Sequence, residues 1–497
     1  MPFLVARASR PHFWNRGRAA RDTRIFALLA PLALAACIVG PDYRTPAPPT
    51  GATAPLVSLN PVVETPSEPP DDWWRLYDDP RLDALIAEAF AANTDLAAAQ
   101  ANLSASRAVL EATRAGRYPT TTVKAGAVYG RDAATDEILE IVGAQPQSVW
   151  IFDDLLDVSY ELDMFGRVRR SIEASREDAE AVAAARDAVR VTVAAETARA
   201  YAQICTLGEQ IAVARHSLAV VSRQADITVQ RHDAGANSTF DVLRAQGLVA
   251  QTRAAIPPLE GQRRSAVFQL AALLGRAPSH APTEAEACVT APRLAALIPI
   301  GDGASLLKRR PDVRQAERRL AAATARIGVA TADLYPRITL TGLYGGVASS
   351  ISDLGAEPGL AWGVGPTMSW SFPIQSAPRA RIRQAKAAAA AALAGFDGAV
   401  LQALKETEQS LATYSAELDR REALADAQDK ARRAFETGAD QFLAGSSSTL
   451  DLLTTEQTLI IADTAVAASD AALAQDQIAV FKALGGGWRA GSKKGSP

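Results

Sequence analysis

Cys37, Cys205 and Cys288 are the only thiols in this chain, and His12, His216, His232 and His280 the only imidazoles. Their spacing matches none of HExxH, CxxC, GxSxG or GxxxxGK[ST], the patterns that assemble a zinc site, a redox pair, an acyl-transfer nucleophile or a phosphate cradle. Metal-assisted, nucleophilic and phosphoryl chemistry therefore have little to stand on, and neither catalytic residues nor a metal nor a dissociable cofactor is expected. The thiol with the most informative setting is Cys37. It follows Leu34-Ala35-Ala36 directly, at the end of an apolar run that begins at Ile25.

Arg16, Arg18, Arg21 and Arg24 precede that run, giving the basic, apolar and small-residue order of a secretory signal. The run is too short for a membrane-spanning helix, which needs about 20 apolar residues. Small residues ending in cysteine resemble a bacterial lipobox. That likeness implies that residues 1–36 are removed and that Cys37 carries a diacylglycerol and an N-acyl chain. Each buried methylene contributes about 0.8 kcal/mol, so two or three chains anchor stably. By the same likeness, Ile38 rather than an aspartate after the cysteine favours the outer membrane. Residues 1–15, with Pro2, Pro11, His12 and Trp14, make the basic region long and point to a translation start further in. In an oxidising compartment Cys205 and Cys288 could pair. Two isolated cysteines outside any motif favour separate buried thiols.

The formal net charge of −3 gives no sign of a nucleic-acid partner. The chain repeats itself at a period of about 210 residues, so two structurally equivalent halves are expected. Residues 234–243, AGANSTFDVL, answer to 444–453, AGSSSTLDLL; Leu273-Leu274-Gly275 answers to Ala483-Leu484-Gly485; Tyr118-Pro119 answers to Tyr335-Pro336. The divisions expected are a signal at 1–36, a Pro-rich tether at 37–78, a first repeat at 79–275, a linker at 276–308, a second repeat at 309–485 and a loose Gly/Ser/Lys tail at 486–497.

Each half reads as helix, strand, strand, very long helix, turn, helix. Pro80 opens the first helix, which the spacing of Leu82, Leu85, Ile86, Ala89 and Phe90 carries to about Arg117. Its counterpart runs over 311–334. Residues 166–234 contain no proline and one internal glycine, Gly208, and 379–444 contain no proline. At 1.5 Å per residue each would be on the order of 100 Å long. A helix of that length cannot hold itself alone, so a coiled assembly is implied, and the alanine run 387–392 would allow close approach.

Between the helices lie four segments of alternating polarity. Trp150, Phe152, Asp154, Leu156, Val158, Tyr160 and Leu162 share one face; Trp362, Val364, Pro366, Met368, Trp370 and Phe372 share another; 120–130 and 337–345 alternate more weakly, with Val123, Tyr129, Ile338, Leu340 and Tyr344 on the apolar side. Aromatics at both ends of an apolar face suit a membrane barrel. Four strands alone leave two open edges, which lipid forbids, so either the sheet packs in water or several chains share one barrel; the secretory signal favours the second.

Several stretches resemble the TolC-like outer-membrane factors, in their lipoprotein (NodT-type) branch: 37–43, CIVGPDY; Trp73-Trp74 followed by 79–86, DPRLDALI; 309–317, RRPDVRQAE; Leu334-Tyr335-Pro336; and the two Ala-Gly…Ser-Thr…Asp turns. The likeness spans essentially the whole mature chain. It implies a mainly α protein with a membrane β-barrel: a trimer whose three chains pool twelve strands in the bacterial outer membrane, above a periplasmic tunnel of long coiled helices. Shorter helices, 80–117 and 238–274, would stack end to end against each long one, with residues 276–308 in an equatorial belt. The function implied is the exit duct of a tripartite efflux pump, receiving drugs, metals or similar small compounds from an inner-membrane transporter and a periplasmic adaptor. The same fold also serves type I secretion of polypeptides, and a periplasmic coiled-coil scaffold with no pore is the alternative from another class.

In this reading the helix–turn–helix tips carry the gate and the adaptor-docking surface. Gly235 and Gly445 can reverse the chain, and Ser238 and Thr239, or Ser448 and Thr449, can cap the helix that follows. Asp241 and Asp451 match family aspartates that narrow the tip, where three like charges around one axis would raise their proton affinity; either could equally be a solvated first-turn residue favoured by the helix dipole. Where the family has a second aspartate this chain has Thr454. Phe442 holds the family's aromatic place, whereas Ser447 replaces its basic partner.

Overall fold

A computed structural model describes residues 38–58, 64–65, 67–131, 141, 143, 145, 148–294, 297–355, 357 and 359–486. The signal, Cys37 and the tail after Gly486 lie outside the described residues. The helices are α1 (Pro80–Ala92), α2 (Thr94–Ala115), α3 (Arg167–Asp233), α4 (Thr239–Ala254), α5 (Ile256–Leu273), α6 (Gly303–Arg309), α7 (Pro311–Ala332), α8 (Ser376–Leu443) and α9 (Thr449–Ala483). The principal strands are β1 (Thr120–Gly130), β2 (Val149–Leu162), β3 (Arg337–Ala348) and β4 (Leu360–Ser369). A two-residue parallel bridge joins Glu64–Thr65 to Ile298–Pro299. The chain divides into two compact units. Of the described residues, one unit holds 38–43, 110–175 and 322–389, and the other holds 44–109, 176–321 and 390–486.

The first unit is built on one antiparallel sheet in the order β1-β2-β3-β4. Its register brings the alternating faces into line. Trp150 pairs with Tyr129, Leu156 with both Val123 and Tyr344, Tyr344 with Trp362, and Leu162 with Ile338, which pairs in turn with Met368. Residues directly opposite share a face, so these aromatic and branched side chains form one apolar surface, and Val123, Tyr129, Tyr344, Trp362, Val364 and Met368 on it are exposed. The opposite face carries Lys124, Asp153, Asp157, Ser159, Glu161, Thr339 and Thr367. β3 runs three residues past the expected end at Gly345, from Gly346 to Ala348, and β4 stops at Ser369, before Trp370 and Phe372.

The second unit is helical. Its core centres on Trp73, wholly buried and stacked on Phe481 with ring centroids 4.8 Å apart, and on Tyr201, Ile204, Leu270 and Ile478. Two of the expected continuous helices are broken. The helix over 80–117 is α1 and α2, separated at Asn93, whose backbone is extended; its Oδ1 accepts from the Leu96 amide at 3.0 Å and its Nδ2 donates to the Leu273 carbonyl. An asparagine that satisfies the new helix start replaces the lost turn. The helix over 238–274 is α4 and α5, interrupted at Ala255 because Pro257 and Pro258 lack the amide hydrogens a continuous ladder needs. The long helices α3 and α8 are unbroken.

The expectation of separate thiols is overturned. Cys205 of α3 and Cys288 are joined as a disulfide with Cα atoms 4.7 Å apart. Three features bring the 276–308 segment onto α3. Gly208 leaves room for the Cys288 carbonyl, which a Cβ there would meet at 2.7 Å. The Arg263 guanidinium donates to the Ile204 carbonyl at 3.2 Å, to the Cys288 carbonyl at 2.8 Å and to the Glu286 carbonyl. The Ala291 amide donates to Glu209 at 2.9 Å.

Candidate functional site: the helical tips and the clamp on residues 38–43

The two tip turns are copies of each other. At the end of α3, the amides of Gly235 and Ala236 donate to the carbonyls of His232 and Arg231, both at 2.8 Å; at the end of α8, those of Gly445 and Ser446 donate to Phe442 and Gln441 at 3.1 and 2.9 Å. Gly235 and Gly445 both have φ of +78°, the left-handed conformation that ends a helix and that glycine adopts without strain. Each following helix opens with a capping box. Ser238 Oγ accepts from the Asp241 amide at 3.2 Å while Asp241 accepts from the Ser238 amide at 3.0 Å and its hydroxyl at 2.7 Å; Ser448 and Asp451 repeat this at 3.1, 3.3 and 2.6 Å. Ser238 and Ser448 are therefore the caps, and Thr239 and Thr449 are the first helical residues.

Within one chain both aspartates are bound to their own helix starts. The serine hydroxyl and amide bonds hold the Asp241 and Asp451 carboxyls below the usual carboxylate range. Thr454 is exposed and its hydroxyl donates to the Leu450 carbonyl at 2.7 Å. Phe442, by contrast, is only 3% exposed. The guanidinium of Arg231 lies over its ring, 4.2 Å from the centroid, and Arg231 Nη1 donates to the Phe442 carbonyl at 3.5 Å. Asn237 Nδ2 donates to Thr449 Oγ1 at 3.3 Å. The α3–α4 and α8–α9 hairpins are thus joined at their tips by a cation–aromatic contact and a hydrogen bond. Beyond these contacts the tip presents Phe240, Leu243, Leu443 and Leu450 to solvent.

Arg231, Asn237 and Glu456 were missed by motif reasoning. Arg231 lies 211 residues from Phe442 in sequence, so no local pattern links them. Glu456 did leave a signal: it continues the apolar stripe of Leu452, Leu453, Leu459 and Ile460 at helical spacing. It is 1% exposed, neither carboxylate oxygen has a hydrogen-bond partner, and burial pushes its carboxyl up to about 7.

In the sheet-bearing unit, the first described residues are held at the foot of β2. Ile38 packs on Gly166, whose absent Cβ would meet Ile38 Cγ2 at 2.9 Å, and the backbones of Gly40 and Gly328 approach too closely for a Cβ on Gly40. The buried Arg170 guanidinium donates to the carbonyls of Val39 and Gly40 and to Asp42 at 2.7 Å, with Glu173 as a second anionic partner at 2.8 Å. Asp163 caps α3 through the amides of Val168 and Arg169 at 2.9 and 3.0 Å, and Phe165 stacks on Tyr335.

A four-stranded sheet with one apolar face, whose strands β2 and β4 are followed in the chain by helices of 67 and 68 residues that end in paired glycine turns, fits an outer-membrane channel subunit. The model of the outer membrane efflux protein family matches residues 85–276 and 304–486, and the chain belongs to that family. It is 30% identical over 482 residues to the pyoverdine export outer membrane protein OpmQ of Pseudomonas putida, covering 93% of this chain and 97% of that one. It is 29% identical over 471 residues to nodulation protein T of Rhizobium leguminosarum bv. viciae, covering 94% of each. The solved outer-membrane channel OprN superposes with a TM-score of 0.82 at 36% identity, covering 91% of this chain and 100% of that one. The protein is an efflux channel component of the outer membrane.

Proposed function

We propose that three copies of this chain form one duct, each contributing β1 to β4 to a twelve-stranded barrel, with the long helices of all three lining a periplasmic tunnel. The observation that carries this reading is the sheet itself. β1 and β4 are its edges, and its aromatic face is exposed in a single chain. Unpaired edge amides and carbonyls cost several kcal/mol each in lipid, so closure by neighbouring copies is the arrangement that satisfies them. The alanine-rich stretch of α8 around 387–395, largely exposed in one chain, supplies a surface for close helix contact with a neighbour.

The duct receives small exported compounds from a periplasmic adaptor, which docks at the tips around Gly235 and Gly445, and from an inner-membrane transporter. Closure of the tip is carried by the Arg231–Phe442 and Asn237–Thr449 contacts, with Asp241 and Asp451 setting charge at the mouth. Cys37 carries the acyl chains; pinning of Ile38 against Gly166 at the foot of β2 supports an anchor at the membrane boundary. Detergent extraction, size determination and single-channel recording test the proposal: a trimer with unitary conductance is expected, and a water-soluble monomer without conductance refutes it. Mass spectrometry of the mature N-terminus tests acylation of Cys37.

A further inference from the structure

Glu456 is the acidic side chain that the capping and ion-pair chemistry of the tip leaves unexplained. It lies five residues beyond Asp451 on α9, and both of its oxygens are sealed from solvent without a hydrogen-bond donor. It borders a cavity of about 530 Å³ walled by α3, α8 and α9, with Val213, Ser217 and Val220 on the first, Phe435 on the second and Leu459 and Ile460 on the third. Both carboxylate oxygens are closed off by protein, with no donor or counter-charge against them among the described residues, so ionisation there is costly.

The charged groups around the cavity do not offset that cost. From α3 comes His216, which is exposed; from α8 come Arg432 and Glu436, both exposed. From α9 itself comes Asp463, which already accepts from the Gln428 amide at 2.8 Å and faces Arg432 at 3.8 Å. α4 packs nearby through Ala245, Leu248 and Val249, none of them titratable. Burial is the one cause acting on the Glu456 carboxyl.

We infer that Glu456 is a protonation-operated latch on the tip: neutral, it lets α9 lie closed against α3; ionised, it favours separation of the two hairpins, which admits water to the carboxylate. This rests on the gate reading of the tip and adds its regulation. The sign follows from the raised affinity of the closed arrangement. Closure is fully favoured below the ordinary value of 4.5, is lost as pH rises toward about 7, and changes no further above that. Within that window one proton per chain shifts the closed-to-open ratio by up to about tenfold per pH unit.

The test compares the full-length wild-type protein with Glu456→Gln and Glu456→Met in planar bilayers at pH 5 and pH 8, and records detergent melting temperatures at the same values. The wild type is expected to be at least about tenfold more open at pH 8, whereas both variants stay near the closed level at both pH values. The wild-type melting temperature should fall between pH 5 and pH 8 by more than that of either variant. Retention of the full wild-type pH dependence by the variants overturns the latch. Absence of any pore at either pH refutes the channel reading instead, and the latch is then judged by melting alone: a pH dependence lost in the variants supports it, and one retained overturns it.

Discussion

The Arg231 guanidinium sits 4.2 Å from the centre of the Phe442 ring, and so ties the last turn of α3 to the last turn of α8. Family resemblance placed an aromatic at 442 and looked for its basic partner at 447, where this chain has serine. The partner is supplied instead by the other hairpin. A partly buried cation over an aromatic face contributes about 0.5–2 kcal/mol. Arg231→Ala is therefore expected to raise the open fraction of the reconstituted channel by roughly two- to thirtyfold, with Arg231→Lys intermediate. Single-channel recording decides it, and an open fraction unchanged in Arg231→Ala removes this contact from the closure.

Asp451 and Ser448 act as one unit. Because its hydrogen bonds hold the Asp451 carboxyl low, its contribution to the α9 start is present above the ordinary carboxylate range and is lost as pH falls through it. The first turns of α4 and α9 should then exchange amide hydrogens faster, after correction for intrinsic rate, as pH drops below about 4. This is opposite in sign to the closing effect of acid at Glu456. Ser448→Ala should cost about 1 kcal/mol of local stability at neutral pH. Asp451→Ala removes the carboxylate half of the capping box together with its charge, so it should fray the start of α9 and reduce cation preference at the mouth. Unaltered ion preference in Asp451→Ala would leave this residue with a capping role alone.

Much of this fold was legible in the residues because the strongest signals are local and periodic. The alternation around Trp150 and Trp362 needs only a period of two, and the glycine turns at 235 and 445 carry their own caps. The helix break at Asn93 was not legible, since asparagine is tolerated within helices and its reason for capping here, the Leu273 carbonyl, lies 180 residues away. The break at Ala255 is readable in Pro257-Pro258 themselves, since neither residue can donate to a continuous helical ladder. The Cys205–Cys288 pairing and the Arg231–Phe442 contact both depend on segments brought together only by packing, so neither leaves a pattern in the chain.

Cys205–Cys288 closes a loop that contains the tip hairpin α3–α4 and all of α5, with a sequence separation of 83. Cross-links of that kind stabilise by about 2–4 kcal/mol, chiefly by restricting the unfolded chain. Cys205→Ser with Cys288→Ser should lower the melting temperature of the detergent-extracted protein and abolish the mobility shift on reduction in denaturing gels. A wild-type protein whose gel mobility is indifferent to reductant would show that the bond does not form in the cell envelope.

Arg170 clamps residues 39–42 onto the first turn of α3. Its side chain is 5% exposed and it binds Asp42 and Glu173 as well as the carbonyls of Val39 and Gly40. Truncation to alanine removes the donor to two backbone carbonyls and two carboxylates; removing one partner of a fully buried charged cluster costs about 3–5 kcal/mol. Asp42 is 86% exposed and Glu173 34% exposed, so both carboxylates can turn to water and the loss should fall below that range. Arg170→Ala should accordingly free residues 38–43 to protease while leaving the sheet intact. Asp42→Asn, which keeps a hydrogen-bond acceptor, should protect most of the segment. Limited proteolysis of membranes followed by mass spectrometry of the released N-terminal peptides reads the outcome; equal protection in Arg170→Ala and the wild type would show that the Gly40–Gly328 approach, not the guanidinium, holds the segment down.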